Sequence, residues 1–287
     1  MSRRGWVLFL AMSVIWGVPY LLIKVAVTDL SPAMVVFGRT GLAAVVLLPL
    51  AVRRGELAAL RPVRWWVVLF AVVEICIPWI MLGYAELRLT SSLTALLLAA
   101  IPLVAMLFSR IAGLEHRIGA VRWIGLAVGI AGVAAVGGLD LGSGDVLSVG
   151  AVLCAVLGYA AGPLLIAKRL SGVSGSAVTA VSMTLNAAAY LPFAVWTRPA
   201  APGEVPMKAW LAVVALGLIC SALAFVLFFH LVAEVGPART SVITYVNPMV
   251  AALGGTLVLG EPVTAGLLVG FPLVLCGSWL ATRPAPR

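Results

Sequence analysis

Charge is what this sequence has least of. Its 287 residues include 10 acidic, 19 basic and 2 histidine side chains, and charged residues make up 10% of the chain. Soluble domains carry about 25%. With 63% of residues hydrophobic, too few polar side chains remain to clothe a surface in water, so a soluble fold is excluded. Paired cysteine is missing as well. Cys76, Cys154, Cys220 and Cys276 each lie alone in an apolar run, with no CxxC or Cys/His cluster. That leaves neither a zinc motif nor a loop disulfide, and it reads the four as small buried hydrophobes. Walker A, HExxH and dinucleotide fingerprints are absent, so no cofactor or metal is expected and an ATP-driven pump would need another subunit.

What is present is apolar length. Runs fall at about 6–27, 32–52, 64–84, 91–110, 121–138, 146–168, 175–197, 207–229, 238–259 and 263–282. Each is near the length that crosses about 30 Å of hydrocarbon. None alternates polar with apolar as a barrel strand does. The fold class expected is an all-α polytopic membrane protein of ten transmembrane helices. The first run, behind Arg3 and Arg4, is too long for a signal-peptide core of about 7–15 residues and is read as a retained span.

The net charge of +9 sits in short loops, not on one exposed surface, so no nucleic-acid partner is expected. With the N-terminus inside, Arg53, Arg54, Arg61, Arg64, Arg110, Arg117, Arg122, Lys168, Arg169, Arg239, Arg283 and Arg287 join Arg3 and Arg4 on the cytoplasmic side. The outer loops carry only Arg88, Arg198 and Lys208. This bias places both termini in the cytoplasm.

The chain also repeats itself. Pro19 and Lys24 match Pro163 and Lys168 at an offset of 144, as Trp66 matches Trp210 and Cys76 matches Cys220. Further on, Thr94, Pro102 and Glu115 match Thr240, Pro248 and Glu261 at an offset of 146. Residues 1–140 and 145–287 are therefore read as two copies of one five-span unit. Five is odd, so the second copy enters the membrane upside down. Inverted repeats are typical of transporters, with the substrate site between the halves near the midplane.

Trp16-Gly17 through Lys24 resembles the first-helix motif of the drug/metabolite transporter superfamily, in its EamA-type branch. Arg39, after Ser31-Pro32, sits where that motif has an arginine. Leu89-Thr90-Ser91-Ser92 through Ile101-Pro102, then Gly113-Leu114-Glu115, resembles the stretch ending in a family GE signature, and Asn247-Pro248 with Gly260-Glu261 repeats it. Leu114 interrupts the signature in the first half. The resemblance spans both halves and is greatest to the YddG-type amino-acid exporters. It implies two EamA-type units in a bacterial inner membrane, exporting amino acids or other small metabolites. A proton-coupled exporter of drugs or toxic compounds is the alternative, and a non-transporting receptor or an intramembrane enzyme the remote ones. The partners expected are a small-molecule substrate and the lipid bilayer, for a monomer or weak dimer.

Within the spans, Glu74 is the most informative residue. A charge there costs roughly 2.5–3.5 kcal/mol on insertion scales, so it faces a cavity or a partner. It is either a substrate-amine contact or proton-coupling group, or one half of a structural pair with Arg39. Trp16, Tyr20 and Lys24, at i, i+4 and i+8, form one helical stripe. The stripe either lines the cavity or packs ordinarily, with Lys24 reaching towards headgroups. Tyr84, His230, Tyr245 and Asn247 either bond substrate or tie helices together. Pro19, Pro78, Pro102, Pro163 and Pro248 are candidate hinges, since proline frees a carbonyl and kinks a helix. Gly125 with Gly129, and Gly266 with Gly270, have GxxxG spacing and serve close helix approach, within the chain or in a dimer.

Two short strings match intramembrane-protease motifs. Gly142-Ser143-Gly144-Asp145 fits GxGD but has no Tyr-Asp partner. Gly172-Val173-Ser174-Gly175 fits GxSG, but neither His116 nor His230 has an evident route to its serine. A nucleophile needs a positioned base, so no enzyme is expected.

Overall fold

The computed structural model describes residues 2–113, 119–140 and 146–282, with side chains at 136–140, 237 and 238 left aside. Glu115, His116, Arg117, the Gly142–Asp145 string, Arg283 and Arg287 lie outside those residues. Among the described residues there is no strand. Seven helical stretches are long and apolar enough to cross a membrane: α1 (Arg3–Val27), α2 (Pro32–Arg53), α3 (Ala58–Ala85), α4 (Ser91–Ile111), α6 (Val146–Leu170), α7 (Gly175–Trp196) and α8 (Met207–Val235). The fifth, α5 (Ala120–Asp140), and the last two, α9 (Ile243–Leu259) and α10 (Ala265–Ala281), complete the set. The apolar runs of the sequence and these helices coincide to within a few residues, apart from early entry into α3 and a longer α8.

Several helices begin where their sequence supplies a cap. The hydroxyls of Ser2, Ser31, Thr90 and Thr264 accept from the N–H groups of Gly5, Met34, Leu93 and Leu267, satisfying donors that an unclosed first turn leaves free. Pro32 follows its cap in the first turn of α2, where no N–H is needed.

Helix packing shows the duplication. Helix α2 packs on α7, α5 on α10 and α4 on α9, each helix against its own counterpart. Three further sets of contacts come in exchanged pairs: α1 on α8 with α3 on α6, α1 on α9 with α4 on α6, and α2 on α8 with α3 on α7. Two five-helix repeats around one pseudo-twofold axis produce that pattern. The third helix of each repeat also carries the same irregularity, a π turn, at Ala71–Cys76 in α3 and Leu218–Leu223 in α8. Helices α4 and α9 both end on a left-handed glycine, Gly113 at φ 71° and Gly260 at φ 67°, a conformation glycine adopts without steric cost.

The repeats differ in their prolines. Helix α1 is interrupted at Val18 before Pro19, and α4 breaks between Leu98 and Ile101 before Pro102. Pro78 follows directly on the π turn of α3. Pro163 and Pro248 sit inside unbroken helix. The GxxxG glycines of α5 pack within the chain. An added Cβ on Gly125 would stand 2.6 Å from the backbone nitrogen of Ala281 in α10, and one on Gly277 would run into the backbone of Gly129. Their partner glycine in α10 is thus Gly277. All four cysteines are free, with Cys220 buried but Cys276 exposed. Cys276 therefore departs from the buried reading, because its face of α10 has no helix against it.

Candidate functional site

The π turns bring polar groups to the middle of the bundle. A π turn widens the helix by one residue and leaves carbonyls without their ordinary donors. In α3 those carbonyls are met from α7: Asn186 Nδ2 donates to Ala71 O at 3.2 Å and Tyr190 Oη donates to Cys76 O at 2.9 Å. In α8, Ser221 Oγ donates to Leu216 O at 2.8 Å and accepts from Arg39 Nε of α2 at 2.8 Å. The second helix of each repeat thus sends a buried polar side chain to the π turn of the other repeat. Arg39 is 7% exposed, and its guanidinium carbon lies 3.5 Å from the centroid of the buried Trp79 ring. Tyr20, Tyr159 and Glu86 surround it within electrostatic range.

Glu74 lies on the π turn of α3. Its Oε2 is buried without a hydrogen-bond partner among the described residues, and it presses on Gly162 of α6, where an added Cβ would overlap the carboxylate. Arg39 is held by Ser221 and Trp79, so Glu74 and Arg39 are not joined by a described hydrogen bond.

A cavity of about 430 Å³ opens between α2, α7 and α8. Leu47, Leu50 and Arg54 line it from α2, Ser176 and Thr179 from α7, and Phe225, Phe229 and His230 from α8. These residues lie at the helix ends beside the basic residues that the charge bias of the sequence assigns to the cytoplasm. Trp16 stands behind the wall, its ring 5.8 Å from Phe225 and 5.0 Å from Phe228. His230 reaches the cavity while its Nδ1 meets Val226 O at 2.7 Å.

At the opposite end two charged side chains hold the α3–α4 turn, beside a smaller cavity of about 110 Å³. Lys24 Nζ donates to the carbonyls of Glu86 at 2.7 Å and Leu89 at 2.9 Å. Glu261 accepts from Ser91 N at 2.7 Å, Ser92 N at 3.0 Å and Ser92 Oγ at 2.6 Å, placing a carboxylate on the N-terminus of α4, where the helix dipole favours it. Left-handed Gly260 turns the chain so that Glu261 points there, and Gly255 leaves room, since a Cβ on it would collide with the carboxylate. The α3–α4 turn is therefore gripped from α1 on one side and from the α9–α10 turn on the other. Within that grip Glu86 is fully buried, with both carboxyl oxygens unpartnered among the described residues.

The remaining sequence candidates are dispersed. Tyr84 is 53% exposed on α3, away from the cavity lining. Tyr245 ties α9 to α10, its Oη donating to Ser278 O at 3.2 Å. Asn247, with its amide nitrogen turned inward, donates to Ile243 O at 2.9 Å and Ser13 O at 3.1 Å, tying α9 to α1. Tyr20 is partly buried and packs towards α4. Ser174 of the GxSG string donates through its Oγ to Glu56 Oε2 at 2.8 Å, as Ser176 does at 2.9 Å.

Among the groups that form the site, Trp79, Glu86, Tyr159, Asn186 and Ser221 escaped the sequence reading. Asn186 was the one a sequence signal marks, an amide in the middle of an apolar span. Glu86 reads as an ordinary loop acid, because nothing local shows that Lys24 and Glu261 close over it.

A pseudo-twofold pair of five-helix bundles, with polar groups at its centre, a cavity open at one end and a gripped turn at the other, defines a polytopic membrane protein of the transporter kind. Both halves match the EamA-like transporter family, over residues 3–138 and 146–283, and the chain belongs to that family. It is 31% identical over 259 residues, 88% of this chain and 81% of the other, to the "Uncharacterized inner membrane transporter YedA" of Escherichia coli strain K12. Over 291 residues, 99% of this chain and 94% of the other, it is 28% identical to the "Probable terminal-alkyne amino-acid exporter" of Streptantibioticus cattleyicolor. A solved crystal structure shares the fold at a TM-score of 0.68 and 20% identity, covering 98% of this chain and 97% of that one. The chain is thus a multi-pass transporter of the bacterial inner membrane.

Proposed function

We propose that this protein is a secondary exporter of small metabolites, amino acids first among them, working by alternating access between the repeats 1–140 and 145–287. The asymmetry of its two ends carries this reading. A cavity of about 430 Å³ is open on the cytoplasmic side, within the 300–1,000 Å³ range of small-molecule sites, while Lys24 and Glu261 hold the turn on the outer side. One end open and one held is the arrangement a loading state requires, and rearrangement of the repeats about the centre would exchange the two. The name of the Streptantibioticus relative supports amino acids as the cargo.

Proton-driven export of drugs or toxic compounds is a second reading, favoured by the buried, unpartnered carboxyl oxygens of Glu74 and Glu86. Counterflow of a labelled amino-acid panel in liposomes holding the purified protein tests both. Saturable flux of amino acids is expected. Under the second reading Glu74→Gln keeps flux but loses its dependence on pH between two buffers. Absence of flux across amino acids and a wider metabolite panel would defeat the proposal.

A further inference from the structure

We infer that Arg39 is the anchor for a carboxylate on the transported molecule, an assignment that rests on the transport reading above and narrows its substrate class. Burying a guanidinium in the hydrocarbon depth of a membrane is costly unless an anion meets it. Here the described residues supply only part of what it needs. Nε is used by Ser221 at 2.8 Å, and Trp79 covers one face at 3.5 Å. No further hydrogen bond to Arg39 is found among the described residues, so the outer edge of the fork has no protein acceptor there. Trp79 and Ser221 fix the plane of the group and leave that edge free, which is the geometry a carboxylate takes with two parallel N–H···O bonds.

The place is right for a cargo. Arg39 lies seven residues into α2 from Pro32, and its partner Ser221 is on the π turn of α8. Phe225, which lines the cytoplasmic cavity, is four residues beyond Ser221, about one helical turn or 6 Å. The cavity therefore stops about one turn short of the guanidinium, behind the aromatic cluster of Phe225, Trp16 and Phe228. The surroundings choose among anions. Tyr20 and Tyr159 are nearby hydroxyl donors, and Glu86 is within electrostatic range. One guanidinium fork suits the two oxygens of a single carboxylate. Cys220, next to Ser221 and buried, completes the wall without adding charge.

The test compares free amino acids with their C-terminal amides, which keep the side chain and the amine and lose the carboxylate. Thermal stabilisation of the purified protein reads binding without requiring flux, and competition in liposome counterflow reads transport. The expected result is that amino acids stabilise and compete at least about tenfold more strongly than their amides. Arg39→Lys, which keeps the charge but not the fork, then weakens the acids about tenfold and leaves the amides unchanged. Ser221→Ala, which keeps the fork but removes one of its two restraints, shows a smaller loss. Amides that match the acids in wild type would overturn the assignment, as would equal loss of acids and amides in a folded Arg39→Lys. Acid-selective stabilisation without any flux would keep the anchor and discard the transport reading.

Discussion

At the scale of single residues, the most consequential contact is a carboxylate on a helix end. Glu261 is 9% exposed and accepts three hydrogen bonds from Ser91 and Ser92. Bonds to a charged group are roughly twice as strong as neutral ones. Glu261→Gln keeps one acceptor oxygen and loses the charge, at a cost of about 1.4 kcal/mol, or tenfold in the closed-to-open ratio. Leu89, 3% exposed beneath the grip, reports on it. A cysteine placed at Leu89 in a cysteine-free background is expected to react about tenfold faster with an external, impermeant maleimide in Glu261→Gln, and an unchanged rate would show that the outer end is held by something else. The Glu261 residue was visible in the sequence as half of a GE pair, but its partner was not. Nothing local connects residue 261 to residues 91 and 92, and only the fold brings them together. Arg39 was visible for the same reason that Glu74 was, as a charge inside an apolar run, whereas Trp79 and Ser221 were hidden among residues that belong in such runs anyway.

At the scale of helices, length and hydropathy were enough to locate the spans, because lipid imposes the same requirement on each. Caps written as Ser, Thr and Pro set several of the starts. The π turns of α3 and α8 were not legible, since no residue type demands one: in α3 the carbonyls are met by Asn186 and Tyr190 from another helix, and in α8 by Ser221 of the turn itself. The candidate hinge prolines are not equivalent in structure: α4 breaks before Pro102 while α9 runs straight through Pro248. Proline removes a hydrogen bond and bends the axis only where neighbours allow it. Pro102→Ala is therefore expected to cut transport several-fold by closing the break, and Pro248→Ala to leave initial rates within roughly twofold; equal effects would remove Pro102 as a hinge. The glycines give a sharper case. A Cβ on Gly277 would strike the backbone of Gly129, whereas one on Gly41 would meet nothing within 4 Å. Gly277→Val should lower the melting temperature in detergent, in line with an overpacking cost of about 1–3 kcal/mol, and Gly41→Ala should leave it unchanged.

At the scale of the whole molecule, the proposed alternating access predicts that the two ends are linked. In that scheme, loosening the outer grip shifts the population towards the arrangement in which the other end is closed, because a protein with two arrangements responds to whatever favours one of them. Leu50 and Phe229 both line the cavity, from α2 and α8, at the end away from Glu261 in a bilayer about 30 Å thick. Cysteines at those two positions are expected to cross-link faster in Glu261→Gln than in the parent, since opening outside accompanies closing inside, and an identical rate would mean that the ends move independently. The seam between α5 and α10 stands apart from this exchange. Its backbones approach most closely where Gly277 meets Gly125 and Gly129, with Leu280, Leu273 and Val274 of α10 packed against α5 alongside. Close backbone contact flanked by interlocked side chains resists sliding along the helix axes. Under the proposed alternating access the seam would serve as a pivot: travel near it would be short, and the lever arms longest at the gripped turn and at the cavity mouth, the two places a passing cargo would move furthest.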